Sequence, residues 1–224
     1  MQKQFRLVMV LALLCLAAAP AFAADTKFGA EVFGAFNSYS MSDVNDGIDQ
    51  LNQSDGTNFD NVSSGLTGGI DARMWANQRW MLSAGWEPLF LETKTETPST
   101  GKINLDGSSF QVTGAYFFPS QSNGRYGIGA GLGYYSISGE ASGVVSGGST
   151  TDISGSTVGF HMMGMGEWTV SPGFAITAAS GYRIAKISDT KFDDQSQTPE
   201  LETDYSGFMG RVGLSFYMPT STKQ

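Results

Sequence analysis

The sequence predicts an all-β protein, an eight-stranded antiparallel up-and-down transmembrane β-barrel, and three observations lead to this prediction. Residues 125–134 alternate strictly between two faces, one of which holds only arginine and glycine. The other face carries Tyr126, Ile128, Ala130, Leu132 and Tyr134. A side-chain period of two belongs to β-strands, and seven further segments share it. The connections between these segments alternate between long and short, as in barrels whose long loops all lie at one rim.

Residues 1–23 have the features of a cleaved secretory signal peptide. Lys3 and Arg6 precede an apolar run over residues 7–19, and small residues come before position 24. This run is too short for a membrane-spanning helix, and no later stretch has the apolar length that one needs. We expect a barrel over residues 24–218, a short tail at 219–224, and export to the bacterial outer membrane. The single cysteine, Cys15, falls within the signal peptide, so we expect no disulfide in the exported chain.

The composition fits a barrel wall better than a soluble globule. Charged residues make up 15% of the chain and aromatic residues 12%, and there are 29 glycines. A transmembrane barrel needs apolar side chains only at alternate positions, which explains a modest mean hydropathy. The formal net charge of -8 argues against nucleic acid as a partner.

The strand boundaries follow from where the alternation stops. The eight predicted strands cover about residues 27–40, 64–75, 80–91, 108–118, 125–136, 158–168, 174–184 and a last segment that ends at Met218. Long polar connections lie at 41–63, 92–107, 139–155 and 186–204, and one or two helical turns are expected within 42–51. Pro88 predicts a bulge or fraying, because proline brings no N–H to a ladder.

The polar face of the strands is predicted to line the lumen. A soluble barrel of lipocalin type would place this face in water and crowd it with charges, whereas here glycine, alanine, serine and threonine dominate. Four acidic and four basic residues share this face, and buried charges require partners. We predict a lumen charge network of Glu31, Asp71, Arg73, Glu87, Arg125, Glu167, Arg183 and Arg211. Its role is either structural filling of a narrow lumen or a charged constriction that selects ions.

Aromatic residues recur on the apolar face near the strand ends, where the aromatic girdles of outer-membrane barrels lie. The predicted girdle consists of Trp80, Trp86, Phe118, Tyr126, Tyr134, Trp168 and Tyr182.

The last strand resembles the C-terminal signal that the outer-membrane assembly machinery reads. Its matching positions are Arg211, Gly213, Phe216 and Met218, although the chain continues beyond them for six residues. The whole exported chain resembles the small outer-membrane barrel family that includes the OmpA transmembrane domain and OmpX. The resemblance implies several partners: outer-membrane lipid and lipopolysaccharide, the barrel assembly machinery, periplasmic chaperones and an extracellular ligand of the long loops.

Residues with catalytic or metal-binding chemistry are scarce. His161 is the only histidine, and a lipid A deacylase of the wider class uses a histidine followed two positions later by a serine, where this chain has Met163. The spacing of the acids in the first long connection does not match an EF-hand. We therefore expect no catalytic residue, no metal site and no cofactor. The expected role is structural or surface-interacting and adhesin-like, with a side-chain-plugged lumen; the alternatives are a narrow channel for small solutes and a lipid A-modifying enzyme.

Overall fold

The computed structural model describes residues 26–55, 60–92, 102–120, 122–142, 150–188, 190–192, 195–196 and 202–218. The predicted signal peptide and the predicted C-terminal tail lie outside the described residues. Within these ranges, no helix combines the length and the apolar character needed to span a bilayer.

Eight long antiparallel strands close into a barrel, which confirms the predicted fold class. They are β1 (Lys27–Ser38), β2 (Ser64–Trp75), β3 (Trp80–Glu92), β4 (Lys102–Phe117), β5 (Gly124–Ser142), β6 (Thr150–Ser171), β7 (Phe174–Ile184) and β12 (Gly207–Tyr217). Each strand pairs with its neighbour in the chain, and β12 pairs with both β7 and β1 to close the wall. The short connections lie at one rim, called here the turn side, and the long ones lie at the opposite rim, the loop side.

The loop side carries the remaining elements. Helix α1 (Ser42–Asp55) follows β1 and is longer than predicted. Four two-residue strands lie between β7 and β12: β8 (Lys186–Ile187), β9 (Lys191–Phe192), β10 (Gln195–Ser196) and β11 (Thr203–Asp204). Strands β4, β5 and β6 also extend further than predicted, and β5 pairs with β6 as far as Ser142 and Thr150.

The strand registers fix the stagger of the barrel. The stagger is found by following paired residues from strand to strand around the barrel. Starting at Trp80 on β3, the paired positions on β4, β5, β6, β7, β12 and β1 lead to Leu66 on β2. Continued beyond its last pair, Ile70–Trp86, the β2–β3 register would place Leu66 opposite position 90, ten residues beyond Trp80. A barrel of eight strands is just wide enough inside for side chains to fill. The lumen is therefore a crowded space in which each large side chain needs a small neighbour.

Strand β5 shows how the two faces divide. Tyr126, Ile128 and Leu132 lie on the outer surface, and each residue is more than half exposed. The glycines of the opposite face leave space for large lumen side chains. A Cβ atom at Gly131 would lie 2.6 Å from His161 Nε2 and 2.1 Å from the Val112 carbonyl oxygen, so no larger residue fits there.

We predict that Gly131→Ala lowers the free energy of unfolding by about 1–3 kcal/mol, because overpacking in a close-packed interior is destabilising. Gly114→Ala on β4 is the matched control, since a Cβ atom at Gly114 would meet nothing within 4 Å. Urea unfolding in detergent micelles, followed by tryptophan fluorescence, measures both variants. Equal effects of the two substitutions would contradict the predicted crowding of the lumen.

Candidate functional site

The barrel lumen is the candidate functional site, because the charged residues of the strands converge there. The structure brings together seven of the eight residues of the predicted charge network, in two separate groups of ion pairs. An apolar layer lies beyond each group, one towards each rim of the barrel.

The turn-side cluster consists of Glu31, Arg73, Glu167 and Arg125. Arg73 lies between two carboxylates, because its guanidinium contacts Glu31 and its Nη1 is 3.2 Å from Glu167 Oε2. Glu167 also accepts a hydrogen bond from Arg125 Nε at 3.1 Å. Glu31, Arg73 and Glu167 are buried, and arginine with carboxylate is the pairing that best tolerates burial.

The loop-side cluster is built around Glu87, which is 1% exposed. Its carboxylate accepts hydrogen bonds from Arg211 Nη2 at 2.7 Å, from Asn37 Nδ2 at 2.7 Å and from Thr67 Oγ1 at 2.6 Å. Asp71 lies 4.0 Å from the same arginine. The Glu87 carboxylate therefore links β3 to three other strands, β12, β1 and β2, through charge and hydrogen bonding.

Arg183 is the member of the predicted network that the structure does not bring into an ion pair. It is fully buried in the lumen, and among the described residues no carboxylate oxygen lies within 4 Å of its guanidinium. Arg183 Nε donates to the Tyr205 carbonyl oxygen at 2.8 Å, and Nη1 donates to Asn37 Oδ1 at 3.4 Å. Asn37 thus connects Arg183 to Glu87 without direct contact between the two charges.

Apolar side chains fill the lumen beyond the charges. The turn-side apolar layer consists of Trp75, Met81, Ala115 and Phe117. Arg125 lies over the Trp75 ring at 3.4 Å from its centroid, so a cation–π contact joins this layer to the turn-side cluster. The loop-side apolar layer consists of Tyr39, Met41, Leu89, Tyr135, Ile137, Ala185, Ile187 and Tyr205.

His161 lies in the lumen, as its position on β6 predicts, and is fully buried. Its Nε2 atom is 2.8 Å from Thr113 Oγ1, and its Nδ1 atom has no hydrogen-bond partner in the described part of the chain. Among the described residues, no group of His, Cys, Asp and Glu has the arrangement needed to hold a metal ion. The surroundings of His161 are those of a side chain that fills space.

Six of the seven predicted girdle residues lie on the outer surface with 38–57% of their area exposed: Trp80, Trp86, Phe118, Tyr126, Trp168 and Tyr182. Tyr134 is 7% exposed, although its position on β5 has the outward parity. Edge-to-face contacts pair Trp80 with Tyr116, and Tyr126 with Trp168.

The residues of the predicted assembly signal occupy both faces of β12. Arg211 belongs to the loop-side cluster, and a Cβ atom at Gly213 would lie 2.5 Å from Glu31 Oε1. Phe216 and Met218 are on the outer surface and more than half exposed.

Several uncharged residues also line the lumen and were not among the predicted site residues. Trp75 and Tyr217 face inward near the turn side, where Trp75 Nε1 donates to the Tyr217 hydroxyl at 3.1 Å. Asn37 and Gln111 complete the loop-side cluster. All four have the inward parity of their strands, so the alternation itself is the signal that identifies them.

A closed antiparallel barrel with an apolar outer surface and ion pairs in its lumen defines a transmembrane β-barrel. The family described as outer membrane protein beta-barrel domain has a sequence model that matches residues 9–216. The chain belongs to this family, which confirms the family resemblance expected from the sequence. The apolar outer surface therefore faces the lipid of a bacterial outer membrane.

Solved structures share this fold at low sequence identity. The outer membrane protein OprG from Pseudomonas aeruginosa is 12% identical with a TM-score of 0.60, over 87% of this chain and 96% of that chain. Neisserial surface protein A is 14% identical with a TM-score of 0.50, over 86% and 97% of the two chains. No curated protein sequence matches significantly. At these identities the likeness concerns the fold alone.

We predict that Arg73→Gln lowers the free energy of unfolding by about 3–5 kcal/mol, because it leaves two buried carboxylates without their shared cation. Lys186→Gln is the control: it removes an exposed ion pair with Glu202, whose carboxylate accepts a hydrogen bond that raises the pKa of Lys186. The control should leave stability unchanged. Urea unfolding at neutral pH compares the variants, and a small effect of Arg73→Gln would show that the turn-side cluster contributes little.

Proposed function

We propose that this protein is a non-enzymatic outer-membrane barrel with a closed lumen, and that it acts through its loop-side surface. The observation that carries the proposal is the succession of two ion clusters and two apolar layers across the barrel. Buried side chains follow one another along the barrel axis: Trp75 lies near the turn side, Glu167 and Glu87 lie further along, and Tyr135 lies near the loop side. Paired charges and apolar layers along the lumen leave little reason for an ion to enter.

The loop side offers the surface for interaction. Beyond Tyr134, the outward positions of β5 change from apolar to polar, with Ser136, Ser138 and Glu140. The β5–β6 ladder continues past them, so a paired sheet extends from the wall on this side. A rigid extension that lies outside the apolar band supports a structural or adhesin-like role towards an extracellular partner.

The remaining partners follow from the family. We propose export through the signal peptide at residues 1–23, passage by periplasmic chaperones to the barrel assembly machinery, and contact with lipid and lipopolysaccharide in the finished membrane. The acidic chain supports no role with nucleic acid. The burial of His161 supports the absence of enzyme activity, so lipid A from expressing cells should be unchanged by mass spectrometry.

We predict no large steady conductance when the purified barrel is inserted in planar lipid bilayers, because buried ion pairs and apolar layers obstruct the axis. A variant with Trp75→Ala and Phe117→Ala, which thins the turn-side apolar layer, provides the comparison and should conduct more often. Stable openings of the unaltered protein would support the narrow-channel alternative and contradict the closed lumen.

We predict that replacing residues 139–153 by an Asn-Gly turn leaves the barrel folded and reduces adhesion of expressing cells to host cells or matrix. Ser138 and Ser154 are already paired, so a two-residue hairpin can join them. Heat-modifiable gel migration checks the barrel, and the same exchange at 43–62, which removes α1, is the control. Unchanged adhesion in both variants would argue against a loop-side binding role.

A further inference from the structure

The wall has one incomplete seam, between β2 and β3. Strand β2 pairs with β1 along its whole length, and β3 pairs with β4 along its whole length. The β2–β3 ladder, in contrast, runs only from Trp75–Met81 to Ile70–Trp86. Residues 64–69 and 87–92 are therefore each paired on one side only, and the line between them is called here the seam.

Pro88 explains why the ladder stops. The Trp86 carbonyl oxygen faces β2, since a Cβ atom at Gly69 would lie 2.6 Å from it, and the Leu89 carbonyl oxygen faces β4 beside Gly107. Backbone groups two residues apart face the same neighbour, so Pro88 also faces β2. In an unbroken register Pro88 would oppose Gly68 and would bring no N–H to it. The β4 side is unaffected because its ladder does not use that group.

The seam lies at the level of the lipid. Phe36 and Leu66 flank it on the outer surface, 44% and 80% exposed, and both belong to the apolar band. Unpaired backbone groups are costly in hydrocarbon, so a permanent gap in the ladder requires a reason. The hydrogen bond from Thr67 Oγ1 to Glu87 Oε1 joins side chains of the two strands at this level.

The loop-side apolar layer lies directly behind the seam, because Leu89 of β3 is one of its fully buried members. Among the described residues, four buried polar atoms of the same region lack a hydrogen-bond partner at normal geometry: Arg183 Nη2 and the hydroxyls of Tyr39, Tyr135 and Tyr205. The Arg183 guanidinium lies 5.7 Å from the Tyr39 ring centroid and 5.4 Å from that of Tyr135. All four atoms can donate a hydrogen bond, and one of them is cationic.

We propose that the seam is a lateral port for a single-chain amphiphile with an anionic head group, such as a fatty acid of the outer leaflet. Arg183 and the tyrosine hydroxyls bind the head group, since unpartnered buried donors beside an arginine favour an acceptor with negative charge. The alkyl chain contacts the loop-side apolar layer and leaves through the seam. Entry requires the seam to part, which the interrupted ladder permits once the Thr67–Glu87 hydrogen bond opens.

The route is tested with single cysteines in a Cys15→Ser background, in lipid nanodiscs. Leu89→Cys places a thiol behind the seam, and Ile137→Cys places one in the same layer on β5, whose flanking ladders are complete. A lipid-soluble pyrene maleimide should label position 89 faster than position 137, whereas a membrane-impermeant maleimide should not. Pro88→Val restores an N–H donor, so it should slow the labelling of position 89 and protect the Gly68 amide from hydrogen exchange.

The head-group chemistry is tested with two probes of equal chain length. Palmitate should slow the labelling of Leu89→Cys at concentrations about tenfold lower than hexadecan-1-ol, because hydrogen bonds to charged groups are the strong ones. Arg183→Gln should remove that difference. If Arg183→Gln does not fold, the comparison of the two probes on the Leu89→Cys protein still decides the head-group preference.

Three results would overturn the proposal. Equal labelling of positions 89 and 137 would show that access comes from the loop side rather than through the wall. Labelling that Pro88→Val leaves unchanged would show that the seam is not the route. Equal effects of palmitate and hexadecan-1-ol would show that Arg183 does not select an anionic head group.

Discussion

The narrow bore of the barrel is the constraint on which the rest of the structure depends. Eight strands with a stagger of ten residues leave an interior that side chains can fill completely. Every large inward side chain then needs a small partner, as His161 has in Gly131. Every inward charge needs a charged or hydrogen-bonding partner, because an unpaired buried charge is costly. Glycine-rich faces and paired charges are therefore two consequences of one geometry.

Local alternation was sufficient to predict the fold class, the eight strands and the inward direction of the charged residues. It could not predict which charges meet, because Arg73 and Glu167 are 94 positions apart and their contact depends on the stagger of the whole barrel. The alternation also underestimated the length of β5, because the part beyond Ser136 has polar residues on its outer face and resembles a loop in sequence. The alternation along β2 places Trp75 on the lumen side, although a tryptophan near a strand end would by residue type alone be expected in the outer aromatic girdle.

Pro88 lacks a backbone N–H, and the positions of the neighbouring strands decide which ladder this interrupts. The sequence predicts fraying at this residue, and the structure confines the interruption to one neighbour. The reason is the direction in which the backbone groups of β3 alternate, which a one-dimensional pattern does not specify. A proline facing β4 would have interrupted the opposite ladder and left the loop-side apolar layer enclosed.

The long separations within the ion clusters have a consequence for biogenesis. Glu31 on the first strand meets Thr177 on the seventh, and Glu87 meets Arg211 on the last, 124 positions later. Glu31 can already pair with Arg73 on the neighbouring β2, but Glu87 and Arg211 can meet only when β1 and β12 pair. A sheet that lacks β12 would carry the Glu87 carboxylate without its arginine, which is costly in hydrocarbon. The last strand therefore completes the loop-side cluster as well as the wall.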